Sequence, residues 1–199
     1  MVIGLTGGIG SGKTTVVNMF RKSDNVAIYI ADIAGKRLMN SSVDIQKKLI
    51  EIFGTETYQN GRLNNNYLAN IVFNDKDKLS LLNNIVHPAV KSDFQNFVKQ
   101  HQNASYIMYE SAILFESNNA HLFDLIISVS APLNERVKRI IKRDNTNESE
   151  ILKRINNQWK EDKKLLQSHY LIHNSTLEST KNQVHYIHNI LTKKKALIL

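Results

Sequence analysis

The residues Gly7-Gly8-Ile9-Gly10-Ser11-Gly12-Lys13-Thr14 satisfy G-x-x-x-x-G-K-[ST] at every position, and no other feature of the sequence narrows the fold so far. Glycines let a backbone take φ > 0 and turn successive N–H groups inward around phosphate oxygens. Lys13 can reach the terminal phosphates of a nucleotide, and the Thr14 hydroxyl can ligate Mg²⁺. The helix that opens at Lys13 directs its positive end at the same anion. The setting agrees with the motif: Val2–Leu5 is an apolar run that reads as a buried strand, and Val16, Val17, Met19 and Phe20 continue beyond the loop as a helix. Gly8, Gly10, Ser11, Gly12, Lys13, Thr14 and Thr15 are therefore the candidate residues for ATP, with the metal at Thr14.

Further apolar runs fall at Val26–Ala31, Tyr106–Tyr109, Leu125–Val129 and Tyr170–Ile172, each short and mostly β-branched or aromatic. Helical patterns lie between them: Thr14–Lys22; a stripe of Ile45, Leu49, Ile52 and Phe53 stopped by Gly54; a stripe of Leu79, Leu82, Val86 and Val90 around Pro88; Arg136–Lys142; and Glu148–Leu166. Strands alternating with helices predict a three-layer α/β fold on a parallel five-stranded sheet, a single domain over 1–199. The gap between the second and third strands, roughly 70 residues, exceeds any crossover helix and predicts a helical insertion over about 36–104. The basic, strand-free stretch of about 133–166 is a second candidate mobile element, leaving 1–35, 105–132 and 167–199 as the core.

The chain has 199 residues and no cysteine, which excludes disulfides, thiolate metal sites and cysteine nucleophiles and fits a cytoplasmic setting. No signal sequence or membrane span is expected. The net charge of +8 points to anionic partners. With a phosphate motif present these are small phosphorylated molecules, although a nucleotide-dependent nucleic-acid binder shares the charge and would differ in salt-sensitive, RNA- or DNA-stimulated ATP hydrolysis. Lys193-Lys194-Lys195 reads as a solvated tail.

Asp32 is the first acid after the loop and falls at the end of the second strand, the edge where α/β folds bind ligands. There it can take or orient an acceptor hydroxyl's proton, or it can cap the next helix. Glu110 ends the third strand, placed either to hold Mg²⁺ through water or as a polar strand end. Asp32-Ile33-Ala34-Gly35 matches the GTPase pattern D-x-x-G, but no N-K-x-D guanine reader follows, since Asn74-Asp75-Lys76-Asp77 has the wrong order. The pairs His169/His173 and His185/His188 have helical ligand spacing but no nearby carboxylate, and no metal is expected there.

Taken in order, these pieces resemble the dephospho-CoA kinase family over nearly the whole chain. Ile3–Thr15 is close to that family's opening signature, and Ala31-Asp32 resembles its D-A-D strand end. Gly61-x-Leu63, Leu68-Ala69 and Val72-Phe73 follow. Leu82-Asn83-x-Ile85-x-His87-Pro88 is similar to L-N-x-I-x-H-P, and Glu110-x-x-Ile113-Leu114-Phe115-Glu116 to D-x-P-L-L-F-E. Arg139-x-x-x-Arg143-Asp144 and Gln158 match its lid, and Ile172-x-Asn174 its last strand. The resemblance implies ATP-dependent phosphorylation of the ribose 3′-hydroxyl of dephospho-CoA by a P-loop kinase with a CoA-binding insertion and a lid. It implies Asp32 as catalytic base, His87, Leu114 and Glu116 at the acceptor, Arg143 reaching the transferring phosphate, and Asn174–Thr176 beside the adenine. Lys13, Arg139 and Arg143 would offset charge developing on that phosphoryl group. Taken without the family, Arg139 and Arg143 read equally as a solvated helix face, and His87 as a cap at the break expected at Pro88. Ile30, Asn65, Ala112, His169 and His173 depart from the family pattern. Another small-molecule or nucleoside monophosphate kinase is the alternative. Neither nucleic acid nor membrane is an expected partner.

Overall fold

In chain order the first elements are β1 (Val2–Thr6), α1 (Lys13–Arg21), β2 (Val26–Ile30), α2 (Ala31–Ser41) and α3 (Val43–Phe53). A small hairpin of β3 (Tyr58–Gln59) and β4 (Arg62–Leu63) precedes α4 (Asn65–Phe73) and α5 (Lys76–Gln100). Then come β5 (Tyr106–Glu110), β6 (Leu125–Ser130), α6 (Leu133–Asp144), α7 (Glu148–Asn156), α8 (Glu161–Leu166), β7 (Tyr170–His173) and α9 (Leu177–Ala196). This computed structural model describes residues 1–144 and 146–196, without the side chains of Phe73, Lys195 and Ala196. Lys193 and Lys194, expected on a solvated tail, are exposed near the end of α9; the side chain of Lys195 lies outside the described residues.

Two compact units result, 1–29 with 101–199, and 30–100. The first holds a five-stranded parallel sheet in the order β2-β5-β1-β6-β7. Val2 pairs with Ile107, Ile3 with Leu125, and Ile127 with Tyr170. All five residues of β5 are buried, as a strand covered on both faces requires. α1 buries Val16, Val17 and Phe20 and packs with α9, which buries Val184, Ile187 and Leu191 at helical spacing. Phe20 meets Tyr106 edge to face, with ring centroids 6.4 Å apart. A separate cluster of Val137, Ile140 and Ile151, with Ile9 and Ile155 against it, joins α6 to α7.

The second unit is helical apart from its hairpin. Its core is Ile45, Leu49, Phe53, Leu63, Leu68 and Val72. Gly54 ends α3 at φ 92°, a conformation that disfavours any side chain.

Three expectations need correction. The second strand stops at Ile30, so Asp32 lies in the first turn of α2 and not on a strand end; its N-cap is Ile30, so Asp32 does not cap it either. The helix expected to break at Pro88 continues through it, because Val86, Val90 and Phe94 form one buried stripe spanning the proline. The single helix expected over 148–166 is two. Asn157 ends α7, and the turn 157–160 spends its hydrogen-bonding groups elsewhere, Gln158 Oε1 on the Ile9 N–H and the Trp159 N–H on Glu116.

Candidate active site

The phosphate-binding loop joins β1 to α1 and takes its shape from close backbone approaches. Gly12 has φ 93°, and a Cβ there would run into Asn174 Nδ2. At Gly8 a Cβ would run into the Arg136 guanidinium. Ser11 N–H closes onto Gly8 C=O at 3.1 Å. Lys13 Nζ curls back to donate to Gly7 C=O at 3.0 Å and Gly8 C=O at 3.4 Å, holding a positive charge at the loop. Thr14 and Thr15 follow Lys13 in the first turn of α1; Thr14 is exposed and Thr15 half-buried. Among the described residues the buried hydroxyls of Thr6 and Ser11 have no hydrogen-bond partner, so unused polar capacity flanks the loop.

Side chains from later in the chain brace this loop. Asn174, buried, donates from Nδ2 to Ser11 C=O at 2.8 Å and accepts at Oδ1 from Thr180 Oγ1 at 3.0 Å. Arg139 donates to Asn174 C=O at 3.1 Å and reaches Ser11 C=O at 3.5 Å. Arg136, 5% exposed, donates from Nε to Ile9 C=O at 2.9 Å and pairs with Glu161 at 3.4 Å. A cavity of about 270 Å³ opens beside Asn174 and Ser175, bordered by Ser130, Ala131 and His173.

Arg139 and Arg143, one turn apart on α6, part company. Arg139 reaches the loop, while Arg143 is exposed and donates to Asp144 at 2.7 and 3.0 Å. Arg143, with Arg154 beyond it, holds the Asp144 carboxyl down at about 2. Leu114 and Glu116, expected at the acceptor, are turned inward. Leu114 is fully buried, where β1 has only Gly4 to make room for it. Glu116 Oε1 accepts from Lys164 Nζ and from the Trp159 N–H, both at 2.8 Å. Trp159 stacks on Phe115 (5.8 Å, 6°) with Lys163 Nζ 3.4 Å from its ring centroid. Arg136 and Lys164 were not singled out in the sequence. Arg136 had one signal, its place three residues before Arg139 on a strongly amphipathic helix; Lys164, within a Lys-Lys pair in a basic segment, had none. Glu110 is buried at the end of β5.

In the helical unit, His87 is half-buried on α5, and burial pushes its imidazole below the ordinary value. Asp32 is exposed in the first turn of α2. His169 Nδ1 accepts from the Ile126 N–H at 3.1 Å and His173 Nδ1 meets Ser130 Oγ at 2.7 Å; these histidines tie β7 to β6. No group of three His, Asp or Glu among the described residues could hold a metal.

A phosphate-binding loop between the first strand and first helix of a five-stranded parallel sheet, flanked by arginines from a helix after β6, defines a P-loop kinase. The family model for dephospho-CoA kinase matches residues 1–179. The chain is 37% identical over 172 residues to a Bacteroides fragilis dephospho-CoA kinase, covering 86% of this chain and 83% of that one. It is 34% identical over 193 residues to one from Bacillus cereus, covering 94% and 95%. A crystal structure from Thermus thermophilus superposes with a TM-score of 0.84 at 27% identity, covering 97% of each chain. The chain belongs to the dephospho-CoA kinase family.

Proposed function

We propose that the phosphate-binding loop and the groups bracing it are where this chain carries out its family's reaction. That reaction is the ATP-dependent phosphorylation of dephospho-CoA at the ribose 3′-hydroxyl, giving coenzyme A and ADP in the last step of coenzyme A biosynthesis. The observation that carries the assignment of the site is the folded loop itself, with glycines at its close approaches and Lys13 Nζ on its carbonyls.

In this reading the triphosphate takes Lys13 away from Gly7 and Gly8. Backbone N–H groups between Gly8 and Thr15, other than that of Ile9, hold it, and the adenine enters the cavity beside Asn174 and Ser175. Thr14, exposed in the first turn of α1 directly after the loop, carries a hydroxyl that fits a Mg²⁺ ligand. Mg²⁺, when bound there, would neutralise phosphate charge. Asp32 takes or orients the proton of the acceptor hydroxyl. Lys13, Arg139 and Arg143 offset charge on the transferring phosphoryl, Arg143 exchanging Asp144 for phosphate when the segment 133–166 closes as a lid and excludes water. The insertion carries the acceptor, with His87 in contact with it. The substrates are small molecules met in the cytoplasm, and the +8 charge serves them rather than nucleic acid or membrane.

The test is CoA formation from ATP·Mg²⁺ and dephospho-CoA, run beside a panel of nucleoside monophosphates and metabolite alcohols. Turnover of a panel member in preference to dephospho-CoA would sink the substrate assignment. In the same assay Lys13→Ala should fall by about 10²-fold with unchanged thermal unfolding, the effect of removing one electrostatic stabiliser. Activity within a few-fold of the parent would remove the loop from the mechanism.

His87→Ala should raise KM for the acceptor by about tenfold and leave KM for ATP alone, as loss of one polar contact does. A parallel loss for both substrates with a lowered melting temperature would make His87 structural.

A further inference from the structure

Ile9 fills one of the unspecified positions of the loop motif, yet three of its groups are held by one segment of the chain. Its N–H donates to Gln158 Oε1 at 2.9 Å. Its carbonyl accepts from Arg136 Nε at 2.9 Å. Its side chain packs against the cluster of Val137, Ile140 and Ile151. Every partner lies within residues 136–158, on α6, on α7 or in the turn after it.

The two polar partners are themselves fixed. Arg136 is buried against Gly8 and paired with Glu161 at the start of α8. Gln158 donates its own N–H to Ile155 C=O at 3.0 Å. Its neighbour Trp159 is pinned by Glu116 and by the stack on Phe115. A glycine-rich loop has many accessible backbone states, and an anion site built from N–H groups works only when those groups already point inward. Anchoring one non-glycine residue at its N–H, its C=O and its side chain removes much of that freedom. It does so from outside the anion's binding surface.

We infer that Gln158 and Arg136 are positioning residues of the phosphotransfer site, holding Ile9 so that the loop Gly7–Gly12 is preset for the triphosphate. The inference rests on the reading of that loop as the ATP site. It also gives the turn 157–160 a role: the break between α7 and α8 delivers Gln158 to the loop, and undocking of that turn loosens the nucleotide site.

The test uses the full chain with Gln158→Met, which keeps length and removes the acceptor, and Gln158→Glu, which keeps an oxygen acceptor. Neither removes a buried charge, whereas an Arg136 variant would strand Glu161. The probe is a non-hydrolysable ATP analogue with Mg²⁺, followed by titration calorimetry. Gln158→Met should bind it about tenfold more weakly, the worth of one hydrogen bond in a preset site. KM for ATP should rise in step while KM for dephospho-CoA stays put. Amide hydrogens of residues 7–12 should exchange faster, and fluorescence of Trp159, the chain's one tryptophan, should stay as in the parent. Gln158→Glu should recover most of the affinity. Parental affinity in Gln158→Met, unchanged exchange across 7–12, or equal losses for both substrates with a lowered melting temperature would overturn the inference while leaving the ATP site standing. A parent chain that fails to bind the analogue would overturn both.

Discussion

Asp32→Asn should bind both substrates and unfold as the parent does, yet lose about 10²–10⁴-fold in kcat, the range for a positioned general base. The substitution keeps shape and removes only charge and basicity. Helix capping gives no competing explanation, since Ile30 is the N-cap of α2 and makes no side-chain cap bond. A first-turn carboxylate does interact with the helix dipole, but for an exposed group that is worth about 0.3–1 kcal/mol, too little to change the folded fraction. A kcat loss without a stability loss is therefore the signature of the base. If Asp32 instead orients Mg²⁺, raising the metal concentration should recover much of the rate. Full activity of Asp32→Asn at saturating substrates would dismiss it and direct attention to Glu110, buried at the end of β5.

What could be read from the sequence follows a physical division. The strands were legible because each is a short apolar run, and the central ones, as Tyr106–Glu110 shows, are buried on both faces and carry that burial in their composition. The phosphate-binding loop was legible because its chemistry is local: glycines, Lys13 and Thr14 do their work within eight consecutive positions. Features decided by remote partners were not legible. The turn between α7 and α8 exists because Ile9 and Glu116 compete for the groups of Gln158 and Trp159, and nothing near residue 158 announces that beyond Asn156-Asn157, two modest helix formers. Arg136 and Lys164 are two among many charges on a basic segment, with little local to set them apart, yet both are buried. Leu114 and Glu116 carried the family's motif, but the motif does not say which way a side chain faces, and both face inward. Asp32 was placed one element early because Ala31 prolongs an apolar run that the backbone ends at Ile30.

The buried Lys164–Glu116 pair should be the most sensitive point in the first unit. Lys164 is 1% exposed, and its Nζ donates to Glu116 Oε1 and to Ala112 C=O, each at 2.8 Å. Glu116 Oε2 is buried without a partner among the described residues, so the carboxylate already has little compensation beyond that ammonium and the Trp159 N–H. Removing either member leaves a buried charge alone, which costs about 3–5 kcal/mol. Lys164→Met should thus lower the melting temperature by on the order of 10 °C in a chain of this size. Glu116→Gln should do the same, with a pH dependence that identifies the cause. Burial pushes the Lys164 ammonium below its ordinary value, while hydrogen bonding and charge from Glu116 hold it up. A base whose pKa is lower folded than unfolded binds more protons in the unfolded chain, so stability rises with pH between the folded pKa and the unfolded value of about 10.4. Without the Glu116 charge the folded pKa drops further and that window widens downward. Urea melts of Glu116→Gln should therefore recover stability as pH is raised from 7 to about 10, more steeply than the parent does. Replacing both residues, Lys164→Met with Glu116→Leu, should regain much of the single-variant loss, since no charge is left stranded. It should not regain all of it, because the Trp159 N–H and the Ala112 carbonyl lose their partners. Single variants as stable as the parent, or a flat pH response in Glu116→Gln, would mean that Lys164 reaches water in solution and the pair carries no weight.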